Sequence, residues 1–87
     1  MNEPMVSEAI AAELREQGYP FGPDEYHTDL IGAGVNSVNL IRLLSRLEDR
    51  FDMEFEAARL FGEQVTVARL ADVILARTAR AAEGRNS

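Results

Sequence analysis

Residues 34–51 read Gly34-Val35-Asn36-Ser37-Val38-Asn39-Leu40-Ile41-Arg42-Leu43-Leu44-Ser45-Arg46-Leu47-Glu48-Asp49-Arg50-Phe51, and their spacing predicts an amphipathic helix. Leu40, Leu44, Leu47 and Phe51 fall at i, i+4, i+7 and i+11, with Ile41 and Leu43 flanking that stripe. Arg42, Arg46 and Arg50 repeat every four residues on the far side, a solvated arginine face. Asn36 is a favoured N-cap, so the helix starts at or next to Ser37 and runs for about 15 residues.

Upstream, Gly18 to Asn36 is rich in turn formers: Gly18, Pro20, Gly22, Pro23, Asp24, Asp29, Gly32 and Gly34. A connection this long is uncommon in a compact domain and is usually functional or disordered. Phe21, Tyr26, Leu30, Ile31 and Val35 supply apolar anchors, so the segment reads as an ordered functional loop. Before it, Asn2 can cap a helix over roughly residues 3–17, with Pro4 in the first turn and Val6, Ile10 and Leu14 on one face. Gly18 stops that helix, and Pro20, Gly22 and Pro23 keep it from resuming.

Downstream, Phe51-Asp52-Met53-Glu54-Phe55 alternates with period two. No partner strand is evident, so it reads as an extended connector whose apolar residues plug the core. Glu56 to Phe61 allows one or two helical turns closed by Gly62, and Thr66 can cap a last helix with Val67, Leu70, Ala71 and Ile74 on one face. Arg77 and Arg80 suit the negative pole of that helix. The expectation is an all-α domain of residues 1–81, a small antiparallel four-helix bundle of three long helices and one short, with residues 82–87 a frayed polar tail.

Composition narrows the function. Eighty-seven residues suffice for one domain, and a chain this short buries only about 60–65% of its unfolded surface. Such a core leaves little room for a deep substrate pocket. Fifteen acids against nine arginines and no lysine give a net charge of −6, which argues against nucleic acid as a partner. The charge is uneven: residues 1–34 hold seven acids and one arginine, whereas residues 69–87 hold two acids and four arginines. With no cysteine and one histidine, disulfides, thiol catalysis and the usual zinc ligand sets are excluded. The first residues have no signal-peptide character and no apolar run approaches membrane-spanning length, so a cytoplasmic, non-membrane protein is expected. With no sustained heptad seam or second apolar face, it is expected to be a monomer.

The chemistry centres on Gly32-Ala33-Gly34-Val35-Asn36-Ser37-Val38, which places a hydroxyl at a helix mouth beside small residues. The first N–H groups of a helix lack internal partners and the dipole is positive there, so a phosphodiester on Ser37 would be electrostatically favoured. By itself the stretch fits an ordinary helix-start serine better than an attachment site. A serine nucleophile lacks its base, since His27 is the only imidazole and Gly-x-Ser-x-Gly is absent. A dinucleotide fingerprint fails where Ser37 replaces the third glycine. A calcium loop from Asp24 fails because Asp29 and Val35 occupy the glycine and glutamate positions. His27 and the arginine stripe read as solvated, and Met53 as a gap-filler.

The whole pattern resembles the phosphopantetheine carrier domains, the acyl, aminoacyl and peptidyl carrier proteins, whose hallmark is a long loop ending in Gly-x-Asp-Ser-Leu before an amphipathic helix. The matching run is Gly34-Val35-Asn36-Ser37-Val38, then Leu40 to Leu47; Leu60-Phe61 and Val65 to Ala71 look like the threonine-capped closing helix. The resemblance spans roughly residues 5–76. Asn36 stands for the usual aspartate, keeping the capping role without the charge, and Val38 stands for the usual leucine.

The resemblance implies that Ser37 receives 4′-phosphopantetheine from coenzyme A and that the arm's thiol carries acyl, aminoacyl or peptidyl groups. The chain would be a non-catalytic substrate of a phosphopantetheinyl transferase, of an acyl- or aminoacyl-activating enzyme, and of condensing or tailoring enzymes. Gly34, Val35, Asn36, Val38, Ile41, Arg42, Leu60 and Phe61 are the expected docking residues. The arginines on the second helix favour a free-standing carrier of nonribosomal-peptide or polyketide type over a housekeeping fatty-acid carrier. An unmodified helical interaction domain is the alternative from another class.

Overall fold

The computed structural model describes residues 2–85, with side chains described through residue 79. Four α-helices follow in order: α1 (Glu3–Glu16), α2 (Ser37–Phe51), α3 (Ala57–Phe61) and α4 (Val67–Arg85), with a 3₁₀ turn at Pro23–Glu25 in the long loop. Among the described residues there is no strand. Helical backbone reaches Arg85, past the Ala82 at which the sequence reading starts a frayed tail, while residues 86–87 lie outside the described residues.

Local chemistry explains the helix ends. Asn2 Oδ1 accepts the Met5 N–H at 3.1 Å and Pro4 lies in the first turn of α1. Gly18 ends α1 with φ of 91°, a left-handed geometry that favours glycine. Asp52 closes α2 in the same region at φ of 52°, where an aspartate is tolerated. Thr66 Oγ1 accepts the Arg69 N–H at 3.0 Å and so caps α4.

The core unites all four helices and the loops. Val6, Ile10 and Leu14 of α1, Leu40, Leu43, Leu44 and Leu47 of α2, Leu60 of α3, and Val67, Leu70, Ala71 and Ile74 of α4 are buried. α1 packs chiefly on α4 and also on α2. The stripe on α2 is skewed from the reading above: Leu43 is fully buried, Phe51 only partly, and Ile41 is 57% exposed. Leu43 and Ile41 flank the Leu40–Leu44–Leu47 line on opposite sides, and the core lies on the Leu43 side.

The connector after α2 behaves as a plug. Phe55 is buried, and Phe51 and Met53 pack partly against the core. Glu48 holds the connector in place: its backbone carbonyl accepts the Met53 N–H at 3.1 Å and its Oε2 accepts the Phe55 N–H at 2.8 Å.

The long loop is tied down along its length. Phe21, Leu30 and Val35 are buried, and Tyr26 packs partly against the same cluster. Leu30 N–H donates to Val65 O at 2.9 Å, and Ala68 N–H donates to Tyr26 O at 3.0 Å. These bonds fasten the loop to the start of α4. Ile31 is the exception among the expected anchors: at 53% exposed it faces solvent, because Leu30 beside it takes the inward position.

Candidate functional site

The loop delivers the chain to α2 through a tight series of turns. Asp29 Oδ2 accepts the Gly32 N–H at 3.3 Å, Asp29 O accepts the Ala33 N–H at 2.9 Å, and Ile31 O accepts the Gly34 N–H at 3.1 Å. Gly34 then adopts φ of 104°, and Val35 folds back to donate its N–H to Leu30 O at 3.0 Å. Asn36 follows as the N-cap, its Oδ1 accepting the Asn39 N–H at 2.8 Å and its backbone carbonyl the Leu40 N–H at 3.0 Å.

Ser37 is therefore the first residue of a 15-residue helix, and its side chain is exposed. Among the described residues nothing hydrogen-bonds its hydroxyl, and the N–H groups of Ser37 and Val38 have no partner. A Cβ built on Gly34 meets no atom within 4 Å, so the turn before the serine also faces open space. The free N–H groups and the positive end of the dipole suit a phosphate on that oxygen. Ser37, Gly34 and Asn36 thus fit a phosphodiester-linked arm.

The expected docking residues divide by burial. Val38 (64% exposed), Ile41 (57% exposed) and Arg42 lie on one exposed strip of α2's first two turns, and Gly34, Asn36 and Phe61 (41% exposed) are also exposed. Val35 and Leu60 are corrected: at 2% and 4% exposed they belong to the core and offer no surface to a partner. Val35 is turned inward by its bond to Leu30, and Leu60 takes the inward side of α3 while Phe61 takes the outward one. Ile31, read as an anchor, instead adds an exposed apolar side chain just before the Gly32–Gly34 turn.

The arginine stripe also divides. Four residues advance a helix by about 40° beyond a full turn, so Arg46 and Arg50 swing from the Arg42 line toward α1. Both reach Glu13, at 3.6 Å and 4.0 Å. Among the described residues Arg42 has no acidic partner within ion-pair distance, and it alone of the three sits beside Val38 and Ile41.

Two contributions were missed by sequence reasoning. Asn39 Nδ2 donates to the Tyr19 hydroxyl at 2.9 Å, across 20 residues, which no local pattern announces. Arg69 Nη1 donates to Leu60 O at 3.0 Å and Gln64 O at 2.7 Å, while its Nη2 reaches Arg59 O at 3.3 Å and Glu63 Oε2 at 3.0 Å. Its only signal was a position three residues after the Thr66 cap.

A small helical bundle that presents an exposed serine at the mouth of α2 has the form expected of a carrier domain. A family model described as the phosphopantetheine attachment site matches residues 6–74, and the chain belongs to that family. It takes a covalently bound 4′-phosphopantetheine and serves as a carrier of thioester intermediates on that arm. Neither a curated protein nor a solved structure matches the chain significantly. Among the described residues no helix is long and apolar enough to cross a membrane.

Proposed function

We propose that Ser37 is the attachment residue and that the protein is a carrier of natural-product biosynthesis, of the nonribosomal-peptide or polyketide kind. The exposed, unpartnered Ser37 hydroxyl at the mouth of α2, within Gly34-Val35-Asn36-Ser37-Val38, carries the reading. The bound arm supplies a thiol to a chain that has no cysteine of its own. The protein's residues contribute the rest: Asn36 caps the turn, the free N–H groups of Ser37 and Val38 favour the anion, and Val38, Ile41 and Arg42 meet visiting enzymes. Those visitors are a phosphopantetheinyl transferase, an acyl- or aminoacyl-activating enzyme, and condensing or tailoring enzymes, met by a cytoplasmic monomer.

Charge on α2 supports the specialised type. Beside the apolar pair stands an arginine without an acidic partner among the described residues, so the matching rim on partners is acidic or neutral.

Incubation with coenzyme A and a broad-specificity transferase is expected to add the mass of one phosphopantetheinyl group to the intact protein, and nothing to Ser37→Ala. A gain that persists in Ser37→Ala would place the attachment elsewhere. An unshifted wild type, with a control carrier modified alongside, would return the chain to an unmodified interaction domain. Turnover of the loaded form by a fatty-acid ketosynthase would move it to the housekeeping type.

A further inference from the structure

We propose that Tyr19 is a positioning residue for the attachment turn, acting through Asn39; the inference rests on the reading of Ser37 as the residue modified. Asn39 lies two positions past Ser37 and holds the first turn of α2 twice. Its backbone N–H donates to Asn36 Oδ1 at 2.8 Å, and its side-chain Nδ2 donates to the Tyr19 hydroxyl at 2.9 Å in a partly buried contact.

Tyr19 is itself fixed by the end of α1. Gly18 N–H donates to Arg15 O at 3.0 Å and Tyr19 N–H to Leu14 O at 2.9 Å, the paired bonds that close a helix over a left-handed glycine. Leu14 is fully buried, and the Tyr19 ring packs partly against the core. The hydroxyl that receives Asn39 therefore lies where the loop leaves α1, held by the closing bonds of that helix.

The bond matters because so little else holds the outer side of this turn. Ser37 and Val38 are exposed, Gly32 to Gly34 are exposed, and Leu40 is the nearest fully buried residue of α2. Leu40, Leu43, Leu44 and Leu47 bury one face of α2 and set the roll of the helix as a whole, but of these only Leu40 lies in its first turn. A hydrogen bond is directional, and the Tyr19–Asn39 bond adds a second tie to that turn. The seating of this first turn decides where Ser37 Oγ points. Transfer onto a hydroxyl depends steeply on such placement.

The test uses the whole chain, coenzyme A and a broad-specificity transferase, following attachment by intact mass. Alanine is a better helix former than asparagine, so Asn39→Ala is expected to keep its far-UV helicity. It is expected to lose about five- to tenfold in kcat/KM, the value of one hydrogen bond, with the loss in kcat. KM is expected to hold, since Val38, Ile41 and Arg42 are untouched.

Tyr19→Phe keeps the ring and is expected to show the same loss, and the double variant no more than either single. Asn39→Asp is expected to recover the rate to within about twofold, because the tyrosine hydroxyl can donate to the new carboxylate. That recovery is expected to vanish when Tyr19→Phe is added. Single variants at the wild-type rate, or losses that multiply in the double, would overturn the clamp while leaving Ser37 as the attachment residue. A wild type that takes no group, beside a modified control, would overturn both.

Discussion

Asn36 is where fold and site share a side chain, since its Oδ1 caps α2 at 2.8 Å one residue before the exposed serine. Asn36→Ala is expected to lower stability by about 1 kcal/mol, read from the urea midpoint. Asn36→Asp is expected to match or exceed the wild type, because it keeps the cap and adds a negative charge at the positive end of the helix. A loss with aspartate equal to that with alanine would mean the cap contributes nothing. Gly34 gives a second test at this scale. At φ of 104° with nothing within 4 Å of a built Cβ, Gly34→Ala meets strain but no clash. A stability loss of about 1–2 kcal/mol is expected in urea titration, with the fold unchanged. Residue identity made both positions legible, because a helix cap and a glycine turn each follow from local chemistry. Burial was less legible: Leu30 and Ile31 are chain neighbours of similar hydropathy, and only tertiary packing decides that one is fully buried and the other 53% exposed.

The elements were largely legible because each carries its own start, stop and periodicity. Helix α1 spans Glu3–Glu16 between its asparagine cap and Gly18, and α2 begins at Ser37 as its cap requires. What periodicity could not supply was skew, since it marks the centre of an apolar stripe and not which flank the neighbours cover. The shortest element needed most from outside itself. Helix α3 has five residues and no side-chain cap at its start, and a helix that short is not self-sustaining. The Arg69 guanidinium supplies the support, joining the Arg59, Leu60 and Gln64 carbonyls to α4 and leaving only about a quarter of its side chain exposed. Arg69→Ala is expected to lower stability by about 1–3 kcal/mol and to speed amide exchange over residues 57–61 ahead of the other helices. Arg69→Lys is expected to recover little, because one ammonium cannot reproduce the planar fork. Uniform exchange across all four helices in Arg69→Ala would show that α3 is held by Leu60 burial alone.

At the scale of the molecule, the long loop joins α1 to α4 through one residue. Tyr26 O accepts the Ala68 N–H at 3.0 Å, and the Tyr26 hydroxyl donates to Glu8 Oε2 at 3.3 Å. Partial burial of that hydroxyl, and next the Glu8 carboxylate beside it, raise the Tyr26 pKa above its ordinary value; Arg15, paired with Glu8 at 3.5 Å, pulls the other way. A raised pKa means that folding favours the neutral phenol. Its contribution to stability is whole below the unfolded value, about 10, and is lost as pH climbs through the higher folded value. In Tyr26→Phe nothing titrates at this position. The wild-type urea midpoint is therefore expected to fall between about pH 9.5 and 11.5 by more than that of Tyr26→Phe, while the two differ by a small constant near neutrality. Since the arginines stay charged throughout that range, the difference between the two curves isolates the phenol. Parallel curves across the window would mean that deprotonating Tyr26 costs the fold nothing, and that the loop is fastened by its backbone bonds to Val65 and Ala68 alone.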